Sequence, residues 1–100
     1  MKLSSYDTNV FRNRAAIKIQ HLELFLQHYQ EVLGIDWSMK FDTAAECCWV
    51  GVIRITPEPN AAGPDESIVL YIAGADGPES ACLMLVDSVC NVIDRLLARR

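Results

Sequence analysis

The chain has no long hydrophobic run, and that absence limits where the protein can reside. No segment approaches the roughly 18 consecutive apolar residues that a membrane-spanning helix requires. Residues 1–5, with the sequence MKLSS, lack the apolar core of a signal peptide. We therefore expect a cytoplasmic protein that does not associate with a membrane.

Positive charge is also scarce. The 100 residues include 9 lysines and arginines against 13 aspartates and glutamates, which gives a formal net charge of −4 at pH 7. Phosphate contacts require clustered basic side chains. This balance argues against a general nucleic-acid-binding protein and instead favours a basic protein partner.

Metal-ligand and catalytic spacings are missing as well. His21 and His28 are seven residues apart with no Cys-x-x-Cys pair nearby, whereas ligands on one helix lie about three or four residues apart. The four cysteines are expected to be free thiols in a reducing cytoplasm: Cys47, Cys48, Cys82 and Cys90. No local signature pairs a nucleophile with its base, so we expect no enzyme, no cofactor and no metal centre.

What the sequence does contain is a clear helical period in its first third. Apolar residues recur at steps of three and four, which is the spacing of one helix face. These residues are Phe11, Ala15, Ile19, Leu22, Leu26, Tyr29 and Leu33. Gly34 suits the position after a last helical turn. The pattern predicts one helix over about residues 9–33.

Three strands are predicted next. Apolar and polar residues alternate over about 35–43, which is the period of a half-buried strand. A second strand is predicted over about 47–56, with Gly51 as a candidate bulge, and a third over about 67–73. The proline-rich segment 57–66 is interpreted as a loop.

The last predicted element is a helix over about 78–98. Pro78 suits the first helical position, and Glu79 lies near the positive end of the helix dipole. Residues 74–77 form the predicted turn before it. The order is α-β-β-β-α, and short connections favour an antiparallel meander. We predict a single α+β domain over residues 1–100, with both helices on one face of a three-stranded sheet.

The third strand is unusual because it is apolar on both faces. Val69 and Tyr71 alternate with Ile68, Leu70 and Ile72. A sheet with helices on one side normally presents polar residues to water on the other. One of the two rows must therefore lie on the face that the helices leave open, and the sequence does not decide which.

The element order resembles that of double-stranded-RNA-binding domains, with Gly74–Ser80 leading into the last helix. Members of that family open this helix with lysines directed at phosphates, whereas Glu79 begins the matching segment here. A glutamate repels phosphate, so direct nucleic-acid binding is not expected. The chain also resembles class I type III secretion chaperones in outline. Those proteins are small and acidic and begin α-β-β-β, but they continue with more strands.

From these features we hypothesise a non-enzymatic protein–protein interaction module that docks through the open sheet face or through its first helix. The residues expected to contact the partner are Trp49, Val69, Tyr71, Asp65, Glu66 and Asp76. Small acidic proteins of mixed α and β structure are frequent among inhibitors from phages and mobile elements, including anti-CRISPR proteins, which favours a basic, nucleic-acid-handling partner. One alternative is a homodimeric, secretion-chaperone-like adaptor that uses the same face for self-association. The other is a small thiol-dependent enzyme or redox protein acting through Cys47 or Cys48.

Overall fold

The computed structural model describes residues 5–44, 48–57 and 67–99. Within these ranges it contains α1 (Thr8–Arg12), α2 (Ile19–Leu33), β1 (Asp36–Ala44), β2 (Cys48–Thr56), β3 (Ile68–Ala75) and α3 (Pro78–Ala98). The strands pair in the order β1-β2-β3, and both pairings are antiparallel. The predicted α+β class and the three-stranded meander are therefore confirmed.

The helices cover one face of the sheet and leave the other open. On β2, Ile53 and Ile55 are fully buried beneath the helices, whereas Arg54 between them is exposed. Helix α3 packs on β3 and β2 and buries Leu85 and Val89 in the core, and α2 lies beside α3 and contacts β1. The two layers make a thin molecule, whose Cα atoms extend 43 × 38 × 17 Å.

The structure differs from the single helix predicted over residues 9–33. The chain leaves α1 at Asn13 and enters α2 at Lys18, which is extended (φ −101°, ψ 163°). Between the two helices, Ile17 is only 1% exposed. The Lys18 N–H donates to Nδ1 of His21 at 3.0 Å. This bond satisfies the backbone N–H of Lys18 at the start of α2. The apolar pattern did not reveal that a helix starts there.

Aromatic packing explains why the helix is broken. The rings of Phe11 and Phe25 stack with their centroids 4.1 Å apart. In one continuous helix these two residues would lie about 21 Å apart along the axis, so the contact requires the chain to reverse. Just before α1, the Tyr6 carbonyl oxygen accepts a hydrogen bond from the Tyr29 hydroxyl at 2.6 Å. Burial of these rings overrides the helical period.

The predicted helix-end signals are confirmed. Gly34 ends α2 in the left-handed conformation (φ 70°, ψ 18°), and its N–H donates to the Gln30 carbonyl at 3.0 Å. Glycine adopts this conformation without steric cost because it has no Cβ. Pro78 is the first residue of α3, and Glu79 lies in its first turn.

Gly51 does not form a bulge, contrary to the expectation. It lies in regular register between Phe41 on β1 and Ile72 on β3. A Cβ at this position would lie 2.6 Å from Cε1 of Phe41 and 3.0 Å from Cδ1 of Leu85. Glycine is required there because the Phe41 ring and α3 approach the β2 backbone closely.

The irregularity of the sheet lies instead at the end of β3. The predicted turn begins at Gly74, but β3 continues to Ala75. Ala73 pairs with Val50 and Ala75 pairs with Trp49, so Gly74, with φ 86°, is the extra residue of a bulge. The bulge places Ala75, which is 2% exposed, on the buried side of the sheet.

Candidate functional site

The sheet face that the helices leave uncovered carries an exposed patch of three apolar and three polar residues. Two neighbouring rows of the register form it: Ser38, Arg54 and Val69, and Lys40, Val52 and Tyr71. We call these six residues the open face. Tyr71 is 62% exposed and Val69 is 52% exposed, so β3 contributes most of the exposed apolar area of the open face.

The structure decides which row of β3 is uncovered. Ile68, Leu70 and Ile72 are half-buried and pack against the core beneath the helices. Val69 and Tyr71 point to the opposite side, because successive side chains of a strand alternate between its faces. One apolar side of β3 therefore completes the core. The other side is also apolar, and no described residue covers it.

Two cations on the open face have no carboxylate partner among the residues that the structure describes. Within the described residues, Arg12 alone forms ion pairs at 4.0 Å or less, so Lys40 and Arg54 remain unpaired there. Asp36 and Asp42 flank Lys40 on β1, and each accepts a hydrogen bond from the backbone N–H of the next residue, at 3.0 and 2.8 Å. An apolar centre beside unpaired cations suits a partner that offers apolar groups and acceptor oxygens.

The residues predicted to contact a partner do not all lie together. Val69 and Tyr71 are on the open face. Asp76 is exposed and follows the end of β3. Asp65 and Glu66 fall outside the described residues.

Trp49 lies apart from the open face. It is half-buried near the start of β2, opposite Thr43 on β1 and Ala75 on β3. Since Val50 shares its side of the sheet with Val52, Trp49 points to the helix side. The structure therefore does not bring Trp49 together with Tyr71.

Four residues of the open face were not among the predicted site residues: Ser38, Lys40, Val52 and Arg54. Their signal was present in the period-two alternation of β1 and β2, where they alternate with half-buried residues such as Met39 and with the buried Ile53 and Ile55. Recognising them together with Tyr71 requires the cross-strand register, which pairs Lys40 with Val52 and Val52 with Tyr71.

A second cluster of polar residues joins α1 to α3. Arg12 Nη2 donates to Asp94 Oδ2 at 2.6 Å and to Asn91 Oδ1 at 3.2 Å. The buried Thr8 donates its hydroxyl to Asp94 Oδ1 at 2.5 Å. Helix α1 has only five residues, so these bonds and the Phe11 ring hold it in place. We interpret this cluster as structural because Thr8 and Arg12 both bond the Asp94 carboxylate. The buried Nε of Arg12, however, has no hydrogen-bond partner among the described residues and lies 3.9 Å from Asp87 Oδ1.

The described cysteines differ in their environments. Burial raises the pKa of the Cys82 thiol to about 11 and that of Cys90, despite the opposing effect of Arg12, also to about 11. Both thiols therefore stay protonated and unreactive near neutral pH. Cys48 is half-buried at the start of β2, and Cys47 lies outside the described residues.

Both histidines, His21 and His28, lie on α2. His28 stacks on Tyr6 with ring centroids 4.5 Å apart. A shallow groove of about 200 Å³ lies beside that pair and is lined in addition by Leu24, Gln27 and Glu31. In the part of the chain that the structure describes, no three His, Cys, Asp or Glu side chains are grouped so as to hold a metal ion.

Comparison of the chain with protein-family models, with curated proteins and with solved structures found no match. No helix in residues 5–44 or 67–99 is long and apolar enough to cross a membrane.

Proposed function

We propose that the protein is a non-enzymatic protein–protein interaction module that docks through its open face. The observation that carries this proposal is the exposure of Tyr71 and Val69, 62% and 52%, beside Val52. Tyrosine is enriched among the residues that dominate interface energies. Valine and tyrosine also have few rotatable bonds, so covering them costs little side-chain entropy.

The charges of the chain indicate the chemistry of the partner at two ranges. At long range, the net charge of −4 favours association with a protein of positive net charge. At contact range, Lys40 and Arg54 favour carboxylate or carbonyl oxygens at the partner's docking patch. A basic protein that handles nucleic acid would meet the first condition. The proposed module would then act as its inhibitor, in the manner of anti-CRISPR proteins.

The experiment compares three baits: wild type, a V69S/Y71S variant, and an L83S/M84S control. Leu83 and Met84 are 43% and 51% exposed on α3, in the helix layer, so the control removes similar apolar area from a different surface. A partner captured from the native host is purified, and its affinity for each bait is measured by calorimetry.

We expect the affinity of V69S/Y71S to fall by about tenfold or more, because loss of a hot-spot aromatic residue typically costs at least that much. The L83S/M84S control should bind as wild type does. Added salt should slow the association of the wild type. Equal affinity of all three baits, or a partner lost only by the control, would contradict docking through the open face.

A further inference from the structure

The two outer strands of the sheet differ in how their free edges are protected. Strand β1 carries Asp36, Lys40 and Asp42, and charged side chains on an edge strand discourage pairing with another chain. Strand β3 has no charged residue and no proline between Ile68 and Ala75. In the described part of the chain, β3 pairs with β2 only, so its outer edge presents unpaired backbone groups.

We propose that this edge pairs with β3 of a second copy of the chain, antiparallel and about a twofold axis at Leu70. Directly opposite residues of an antiparallel pair lie on the same face of the sheet. Centring the pair on Leu70 places Val69 opposite Tyr71 of the second copy on the uncovered side. On the helix side, Ile68 lies opposite Ile72 of the second copy.

The sequence of β3 complements itself, which identifies a second copy as the occupant of the edge. Both exposed pairs across the axis join an aromatic to a β-branched residue, a stabilising combination in antiparallel sheets. Because β3 carries no charge, no like charges meet at the pairing strands. The Gly74 bulge disrupts the strand only after Ala73, so the segment from Ile68 to Ile72 is regular.

The resulting dimer has one six-stranded sheet with the helices of both copies on the same side. Pairing uses the backbone edge of β3 rather than the surface of the open face. The two open faces would therefore join into a larger one that remains accessible. This inference does not depend on the proposed docking function.

The test uses two charged variants, V69K/Y71K and V69E/Y71E, with L83K/M84K as the matched control. Positions 69 and 71 are exposed, so each variant should keep the wild-type circular dichroism spectrum. Either variant alone places like charges across the axis, whereas a mixture places lysines opposite glutamates. The control adds the same charge to the helix layer.

Molecular mass is measured by light scattering over a concentration series. Wild type and the L83K/M84K control should rise from the 11.2 kDa of one chain towards twice that value. Each charged variant alone should remain a monomer, and their equimolar mixture should form a dimer. A wild type that stays monomeric throughout, charged variants that dimerise alone as wild type does, or a mixture that stays monomeric would each overturn the proposal.

These measurements can refute docking through the open face and pairing through the β3 edge independently of each other. The equimolar mixture lacks Val69 and Tyr71, the two most exposed apolar side chains of the open face, so it should dimerise and still fail to bind the docking partner. A monomeric wild type that loses its partner on V69S/Y71S substitution would overturn the edge pairing and support docking.

Discussion

Replacing Gly51 with alanine should destabilise the domain, although the same substitution is generally stabilising at compatible positions. Where the backbone conformation is compatible, Gly→Ala stabilises a protein by about 0.4–1 kcal/mol, because alanine has less conformational entropy to lose. The two positive φ values found among the described glycines belong to Gly34 and Gly74, so backbone strain does not oppose alanine at Gly51. Packing around Gly51 therefore decides whether alanine stabilises or destabilises the domain.

Packing around Gly51 leaves no room for a methyl group. The added Cβ would lie 2.6 and 2.9 Å from two ring atoms of Phe41 and 3.0 Å from Cδ1 of Leu85. The Phe41 ring is rigid and Leu85 is 1% exposed in the core. Overpacking of this kind costs about 1–3 kcal/mol. After the entropy gain is subtracted, we expect Gly51→Ala to lower the free energy of unfolding by about 1–2 kcal/mol.

Thermal and urea unfolding measure this loss, and a domain of this size should lose roughly 4–8 °C in Tm for each kcal/mol. The Phe41→Leu variant supplies the control, because it removes the ring that the new Cβ meets. In a double-mutant cycle, G51A and F41L together should cost at least about 0.5 kcal/mol less than the sum of the two single changes. A Gly51→Ala protein as stable as wild type, or additive effects in the cycle, would refute the packing argument.

Because burial raises the pKa values of Cys82 and Cys90 from 9.0 to about 11, their contribution to stability is complete below pH 9 and is lost as the pH rises towards 11. Urea titrations should show the free energy of unfolding falling over that range, and a C82A/C90A variant should show a smaller fall. At neutral pH, mass spectrometry of a thiol-labelled native protein should find Cys48 modified faster than either of them, and equal rates would contradict their burial. Gly34→Ala should cost about 1–2 kcal/mol because an L-residue is strained in the left-handed conformation, whereas Gly34→Asn should cost less, and thermal unfolding compares the two. Equal losses would show that backbone conformation is not the cause.

Elements governed by local rules were predictable from the sequence. The helix predicted over 78–98 is α3, and the strands predicted over 35–43 and 47–56 differ by one residue at most from β1 and β2 at each end. Period-two alternation and the Pro78 start signal are local, so neighbouring residues suffice to place these elements.

Features that depend on contacts distant in sequence were not predictable. The apolar period continues through residues 13–18, yet the chain breaks there because Phe11 stacks on Phe25. Likewise, no local pattern distinguishes a glycine that forms a bulge from Gly51, whose role depends on the ring of Phe41 across the strand.

The candidate site was predictable in part for the same reason. The apolar character of both rows of β3 showed that one of them would be uncovered, but choosing Val69 and Tyr71 required the position of the helices. Lys40 and Arg54 join them only through the register of the folded sheet.

The attachment of α1 to α3 has a consequence for synthesis on the ribosome. The hydrogen bond from Thr8 to Asp94 joins residues 86 positions apart, and a nascent chain emerges with its N-terminal end first. Until nearly the whole domain has been translated, the first helix and the residues just before it therefore have only their contacts with α2, through residues such as Phe25 and Tyr29, and α1 lacks its bonds to α3. A ribosome that stalls before Asp94 would release a product in which α1 cannot bond to α3. Such a product would be a substrate for chaperones and proteases.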